Sequence, residues 1–294
     1  GLFNKLWTSE PLSAADATEI QRMLQDSEVP LYMRCQMVSA LMLGLQTLFD
    51  KEKIYLLIDA TNMPEDELRI RALIDLLLAL YMYRKRTALY PQIENRLSAL
   101  AESYPKLGKL LQTITLRFIL ARETEKISRK LQDEIIPEMM KMNPQISQKI
   151  NLKDLTPDQL GDEMNPEWQE MIANSELGKK MEEFTELQME GADVMHSTFV
   201  HLKNFPFFRE VGNWFLPFTT YHTSLTNAQN QSETEKQILD SMTIASLMCN
   251  SDKYSLYFSM MEMPEQARKM MLNQFDGQTN EMIQQNREEL LNKW

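Results

Sequence analysis

The fold is decided by two similar stretches, RCQMVSALMLGL at Arg34–Leu45 and RIRALIDLLLAL at Arg69–Leu80, which lie 35 residues apart. Each begins with an arginine and continues as a largely apolar run. The similarity extends upstream, where residues 20 and 23 correspond to residues 55 and 58. Two helices in every ~35–45 residues, the second more apolar than the first, are typical of an α-solenoid. An irregular helical array with chance similarity is the alternative.

An arginine ahead of a buried run resembles the HEAT-type repeat. One helix pair cannot bury its apolar face alone, so neighbouring pairs have to stack. The sequence therefore predicts an all-α protein. The arrangement we expect is an α-solenoid, that is, a right-handed superhelical array of antiparallel helix pairs like those of HEAT and TPR proteins, with one long helix.

The apolar residues of every long segment recur every three to four positions, as in helices, and no segment shows the sustained alternation of a strand. In the first half this pattern, with Ser13 as a cap and prolines as helix starts, predicts helices over 13–25, 31–49, 51–59, 65–86, 91–103 and 106–142. In the second half it predicts helices near 175–204, 233–248, 253–261, 264–275 and 279–293.

The domain organisation follows from these elements and from the prolines between them. We expect HEAT-like helical repeats over 1–104 and a long connecting helix over 105–142. An acidic linker over 143–166 carries Pro144, Pro157, Gly161 and Pro166. A second helical array over 167–294 would contain an aromatic plug at 205–218.

The composition excludes several classes of protein. The 294 residues carry 31 basic and 42 acidic side chains, and the net charge of −11 disfavours nucleic acid and anionic lipid as partners. The longest apolar run, residues 72–83, is shorter than the ~20 residues that a membrane span needs. Two cysteines, Cys35 and Cys249, cannot form a disulfide framework, so we expect a reducing, cytoplasmic location.

The charge is unevenly distributed along the chain. Residues 151–193 contain 12 acids and 3 bases, whereas residues 105–141 contain 8 bases and 5 acids. Within the basic stretch, Arg122 and Lys126 share one face of the predicted long helix. These charges form either solvated helix faces or, in the sharper interpretation, a charged docking stripe.

The strongest local feature is the aromatic segment Phe205–Phe218, in which six of 14 residues are aromatic and two are proline. Such rings bury ~150–250 Å² each. The segment is either an internal plug between two helical layers or an exposed ledge for a partner protein. Its candidate binding residues are Phe207, Phe208, Trp214, Phe215 and Phe218.

Catalytic and metal-binding signatures are missing from the sequence. There is no Gly-rich phosphate loop and no HExxH. His196 and His201 are five residues apart, so they cannot share a metal on one helix face. Asp193 and His196 form at most half of a carboxylate-bridged site. We expect the thiols of Cys35 and Cys249 to be buried and inert. The sequence predicts no catalytic residue, no metal and no cofactor, and it identifies no small-molecule substrate.

Three stretches resemble one family: residues 122–140, residues 186–208, and residues 209–218 together with 249–254. They are similar to the N-terminal, non-TPR half of large uncharacterised bacterial TPR-containing proteins. The resemblance implies a helical platform that precedes TPR repeats beyond Trp294, with the chain as a fragment, and it transfers no catalytic residue.

The sequence thus predicts a non-catalytic scaffold that binds protein partners or its own TPR domain. The alternative is a helical enzyme or small-ligand-binding domain with a pocket near 193–218.

Overall fold

The computed structural model describes residues 1–130, 133, 203–225, 233–244 and 248–268. These residues fold into helices joined by turns and contain no strand, so the all-α prediction is confirmed for them. Numbered over the described residues, the helices are α1 (Leu2–Trp7), α2 (Ala14–Gln25), α3 (Leu31–Thr47), α4 (Lys51–Ala60), α5 (Asp66–Met82), α6 (Arg84–Thr87), α7 (Pro91–Ser103), α8 (Leu107–Lys130), α9 (Glu233–Ile244) and α10 (Asn250–Glu262).

Local sequence signals set several helix starts. The Ser13 hydroxyl accepts a hydrogen bond from the backbone N–H of Asp16, and the Asp16 carboxylate accepts one in return from the Ser13 N–H, which forms a capping box at α2. The Asp50 side chain caps α4 by accepting from the Glu52 N–H. Pro91 occupies the first turn of α7, where its missing N–H removes no helical hydrogen bond.

The predicted helix over 65–86 is divided in the structure. Helix α5 ends at Met82, and the separate turn α6 follows. The Tyr83 backbone leaves the helical conformation, and its hydroxyl donates a hydrogen bond to the Leu45 carbonyl at the end of α3. This tertiary contact explains why the helix stops although the sequence continues without a helix breaker.

The first seven helices pack by two kinds of neighbour contact. Helix α2 packs on α4 and α4 on α7, while α3 packs on α5. Consecutive helices also touch, α2 with α3, α3 with α4, and α4 with α5. The core between them is formed by fully buried aliphatic side chains: Leu24, Met37, Leu41, Leu45, Ile54, Leu57, Leu68, Leu73 and Ile93. Four of them, Met37, Leu41, Leu45 and Leu73, lie in the two repeated stretches, and the whole set closes the apolar seams between helices.

The 35-residue spacing has a counterpart in side-chain contacts. Arg34 Nε donates to the Val29 carbonyl at 3.1 Å, and Arg69 Nη1 donates to the Pro64 carbonyl at 3.3 Å. Both acceptors lie five residues before their arginine, in the connection that precedes the more apolar helix. The two arginines therefore hold equivalent connections in the same way.

The buried guanidinium of Arg34 also joins successive helix pairs. Arg34 Nη2 lies 2.7 Å from Glu65 Oε1 at the start of α5, and Nη1 donates to the Leu24 carbonyl at 3.4 Å. The hydrogen bond from Arg34 lowers the pKa of the Glu65 carboxyl. A charge in this position is tolerated because its ion pair and backbone acceptors replace water.

The chain divides into two compact units, one of Gly1–Pro105 with Phe205–Trp294 and one of Lys106–Asn204. The domain prediction joined residues 205–218 to the preceding residues 167–204. The observed division places the aromatic segment with residues 1–105, and the segment packs there on α1 and α3. The predicted acidic linker over 143–166 lies outside the described residues.

Helix α8 belongs to the second unit, and its described part ends at Lys130. The rest of the predicted long helix, residues 131–142, lies outside the described residues apart from residue 133. Within α8, Ile114 is buried and Phe118 is exposed. Among the described residues no helix is long and apolar enough to cross a bilayer.

Candidate protein-interaction site

The aromatic segment consists of two short 3₁₀ turns. The first covers Pro206–Arg209 and the second covers Val211–Phe215, and the extended residue Glu210 separates them. Pro206 favours the first turn because its ring fixes the backbone angle that a helix start needs. Residues 216–219 then continue without helical structure.

One end of the segment is anchored by stacked rings. The Phe207 ring stacks on Tyr254 of α10 at 4.8 Å between centroids and meets Phe208 edge-on at 5.0 Å and Phe258 at 5.2 Å. Phe207 is 9% exposed and Phe208 is 5% exposed. The Tyr254 hydroxyl donates to the Pro217 carbonyl at 3.0 Å and accepts from the Thr219 N–H at 3.3 Å. Rings and hydrogen bonds together fix this end of the segment to α10.

The middle of the segment is held through its backbone. Gln36 Nε2 of α3 donates to the Gly212 carbonyl at 2.8 Å, and Arg71 Nη1 of α5 donates to the Phe215 carbonyl at 2.9 Å. A Cβ on Gly212 would lie only 3.2 Å from Gln36 Nε2 and from the Phe3 ring. The segment therefore approaches α3 and Phe3 so closely that any larger residue here would push the Gln36 and Phe3 side chains aside by a few tenths of an ångström.

A partly exposed polar cluster supports these contacts. Arg71 also donates to Ser39 Oγ at 3.0 Å and to Glu67 Oε1 at 3.1 Å, and the Asn250 amide lies 3.4 Å from the same Glu67 oxygen. Burial lowers the pKa of the Lys253 ammonium, although the charge of Glu67 opposes that shift. The cluster connects α3, α5 and α10 beside the segment.

The second 3₁₀ turn presents side chains to solvent. Trp214 is 44% exposed and Val211 is 39% exposed. In a 3₁₀ turn residues three apart lie on the same side, which places these two side chains together. The Trp214 indole N–H donates to the Phe208 carbonyl at 2.9 Å, and its ring packs on Phe208 at 5.2 Å. The indole is thus oriented by the buried ring beneath it.

The segment combines the two interpretations given above. Phe207 and Phe208 are internal, as a plug would be, whereas Trp214 is not, and Phe215 and Phe218 are half-buried. The side chains of Arg122 and Lys126, and residues Asp193, His196 and His201, lie outside the described residues. That the predicted residues of the aromatic segment, with Arg122 and Lys126, bind a partner stays a prediction.

The two thiols have different surroundings. Cys35 is fully buried, and burial raises the pKa of its thiol to about 11. Cys249 is exposed, so the expectation of a buried thiol was wrong for this residue. Desolvation of its sulfur and the nearby Asp252 carboxylate raise the pKa of Cys249, and its Sγ lies 3.3 Å from Ser251 Oγ. Because only a thiolate is strongly nucleophilic, neither environment activates a cysteine.

Sequence reasoning missed the residues that receive the segment. Tyr254 lies in a stretch that carried the family resemblance, but nothing in the sequence connected it to Phe207. Gln36 and Arg71 are polar positions inside the two repeated stretches, and that interruption of an apolar run was the available signal. Among the residues that the structure describes, no group of three or more potential ligands could hold a metal ion.

The comparisons with known proteins add no relative: no family model, no curated protein and no solved structure matches this chain.

Proposed function

We propose that the chain is a non-catalytic scaffold for protein partners, built as an α-solenoid of stacked helix pairs. The observation that carries this proposal is the equivalent contact of Arg34 and Arg69 with connections 35 residues apart. Repeating pairs that stack on their neighbours form an extended surface, and such surfaces bind extended or helical partners.

The aromatic segment supports the same proposal. Exposed tryptophans are frequent anchors in protein interfaces, because a large rigid ring buries much area at low entropic cost. Here the indole of Trp214 stands beside Val211, and the buried Phe208 fixes its position. A partner would meet a preordered surface rather than one that must order on binding.

The partners we propose are proteins, including TPR repeats of the same polypeptide as the family resemblance implies. The cytoplasmic location also belongs to this proposal. It accords with the free, buried Cys35.

The test is affinity capture followed by binding of the purified partner. The wild-type chain, Trp214→Ser and the control Leu116→Ser, which changes an exposed residue of α8, are immobilised and exposed to lysate at low salt. We expect the immobilised wild type and the Leu116→Ser control to retain a defined protein, and Trp214→Ser to retain less of that protein. That protein is then purified and its Kd measured by calorimetry. Retention of no protein above bare resin, or no saturable binding by the purified protein, refutes the scaffold.

A further inference from the structure

A second surface stands out at the junction of α5 and α6. We call it the α6 patch and define it by its exposed side chains Tyr81, Met82, Arg84, Lys85, Arg86 and Leu89. Tyr81 is 69% exposed and Leu89 is 75% exposed. Large apolar side chains so fully exposed, next to three consecutive basic residues, form a mixed apolar and cationic surface.

The base of the α6 patch is fixed. Phe49, which is buried, contacts the Tyr83 and Tyr90 rings at 5.1 Å each, and the Arg86 guanidinium lies 4.4 Å from the Phe49 ring. The Arg84 guanidinium lies 5.1 Å from the Tyr81 ring and donates to the Tyr81 carbonyl at 3.0 Å. The cations are therefore held in place by rings and a carbonyl.

The arginines of this patch differ from the others in residues 1–105. That part of the chain has seven arginines, and five of them lie within ion-pair distance of a carboxylate: Arg22, Arg34, Arg69, Arg71 and Arg96. Within the described part of the chain, Arg84 and Arg86 form no such pair. Residues 76–93 contain no acidic residue, although the chain as a whole is strongly acidic.

Stabilisation of the α5 C-terminus accounts for only part of this pattern. Basic side chains after a helix end interact favourably with its dipole, by ~0.3–1 kcal/mol each. That effect does not require Tyr81, Met82 and Leu89 to be exposed. The apolar and the cationic features together point to an external ligand.

We propose that the α6 patch docks an acidic peptide segment of a partner protein, with an apolar residue of that segment against Tyr81 and Leu89 and its carboxylates on Arg84 and Arg86. This inference rests on the proposed scaffold function and names the chemistry of one partner. Arginine suits this role because its planar fork binds carboxylates through two hydrogen bonds.

A peptide fits better than an anionic membrane. Charges in solution are screened over ~8 Å at physiological salt, so a short peptide senses mainly the three local cations. A membrane surface is extended and also faces the surrounding protein, whose net charge of −11 repels it. The experiment below distinguishes binding of a peptide from binding of a membrane.

The probe is a fluorescent peptide of about twelve residues that alternates glutamate with leucine and phenylalanine, and fluorescence polarisation measures its binding to the full chain. Two matched peptides replace either the glutamates by glutamine or the apolar residues by serine. The chain variants are Arg84→Gln/Arg86→Gln and Leu89→Ser. The matched control is Arg22→Gln, an exposed arginine on α2. Phosphatidylserine vesicles form a separate arm.

We expect both the double variant and Leu89→Ser to weaken the acidic apolar peptide by roughly tenfold, and Arg22→Gln to change its affinity by less than about twofold. Both substituted peptides should bind more weakly than the parent. Any one of three results overturns the inference: an equal loss of peptide affinity in Arg22→Gln, equal binding of the peptide whose glutamates are replaced by glutamine, or binding of the chain to vesicles but not to the peptide. If the peptide fails while a captured protein still binds through Trp214, only this inference fails and the scaffold stands.

Discussion

Replacement of Phe207 by alanine tests the anchoring of the aromatic segment. Phe207 is 9% exposed and touches the rings of Tyr254, Phe208 and Phe258. Removal of a buried phenylalanine side chain costs ~3–5 kcal/mol, and each aromatic pair adds ~0.5–1.5 kcal/mol beyond its buried area. We therefore expect Phe207→Ala to lower the free energy of unfolding by about 4 kcal/mol.

Trp214→Ala provides the comparison within the same segment. Its ring is 44% exposed, so roughly half of the ~200 Å² of an indole is buried. At ~25 cal/mol per Å² this gives about 2.5 kcal/mol as an upper estimate, and water can replace the hydrogen bond to the Phe208 carbonyl. We expect about 2 kcal/mol, well below the 3–5 kcal/mol that full burial predicts.

The assay is urea unfolding followed by circular dichroism at pH 7, with hydrogen exchange of peptides from residues 205–218 to localise the effect. Leu89→Ala is the control, because it truncates a large apolar side chain that is 75% exposed. It should cost less than about 1 kcal/mol. A cost for Phe207→Ala below about 1 kcal/mol, or below that of Trp214→Ala, refutes the described seat of the segment.

Three further predictions concern charge and thiol chemistry. Burial raises the pKa of Asp75 to about 7, so the folded state holds the carboxyl proton more tightly than the unfolded state does. The free energy of unfolding therefore falls as pH rises from about 4 to 7. Asp75→Asn should stabilise the protein by about 1–2 kcal/mol at pH 8, and urea unfolding of this variant should show a weaker decline of stability with pH. The lowered pKa of Glu65 makes stability change with pH in the opposite direction: the stabilisation is present above pH ~4.5 and is lost on further acidification. Glu65→Gln should therefore lose less stability than the wild type between about pH 5 and pH 3. An equal loss in both proteins contradicts the ion pair of Glu65 with Arg34. Iodoacetamide should modify Cys249 of the native protein and leave Cys35 unmodified, as measured by mass spectrometry. Rapid labelling of Cys35 would contradict its burial.

The helical part of the fold was largely readable from the sequence, because helix starts and apolar periodicity are local signals. The Ser13 cap and Pro91 place α2 and α7 within a residue of their observed starts. The end of α5 was not readable, because the contact of Tyr83 with the Leu45 carbonyl comes from another helix. Local patterns therefore predicted where helices begin better than where tertiary contacts end them.

The candidate site was predictable only as a segment. Its aromatic content identified residues 205–218, but the 3₁₀ geometry that exposes Val211 and Trp214 together has no comparable sequence signal. Gln36 and Arg71 lie 176 and 144 residues from the carbonyls they bind. No periodicity within one stretch can reveal contacts over such separations.

Those separations have a consequence for synthesis on the ribosome. At ~5–20 residues per second, Arg71 leaves the ribosome roughly 7–30 seconds before the Phe215 carbonyl it will bind. During that interval the faces of α3 and α5 that later receive the segment are complete but uncovered. The nascent chain is therefore most open to aggregation and chaperone capture after its first helices have formed and before residues 205–262 arrive.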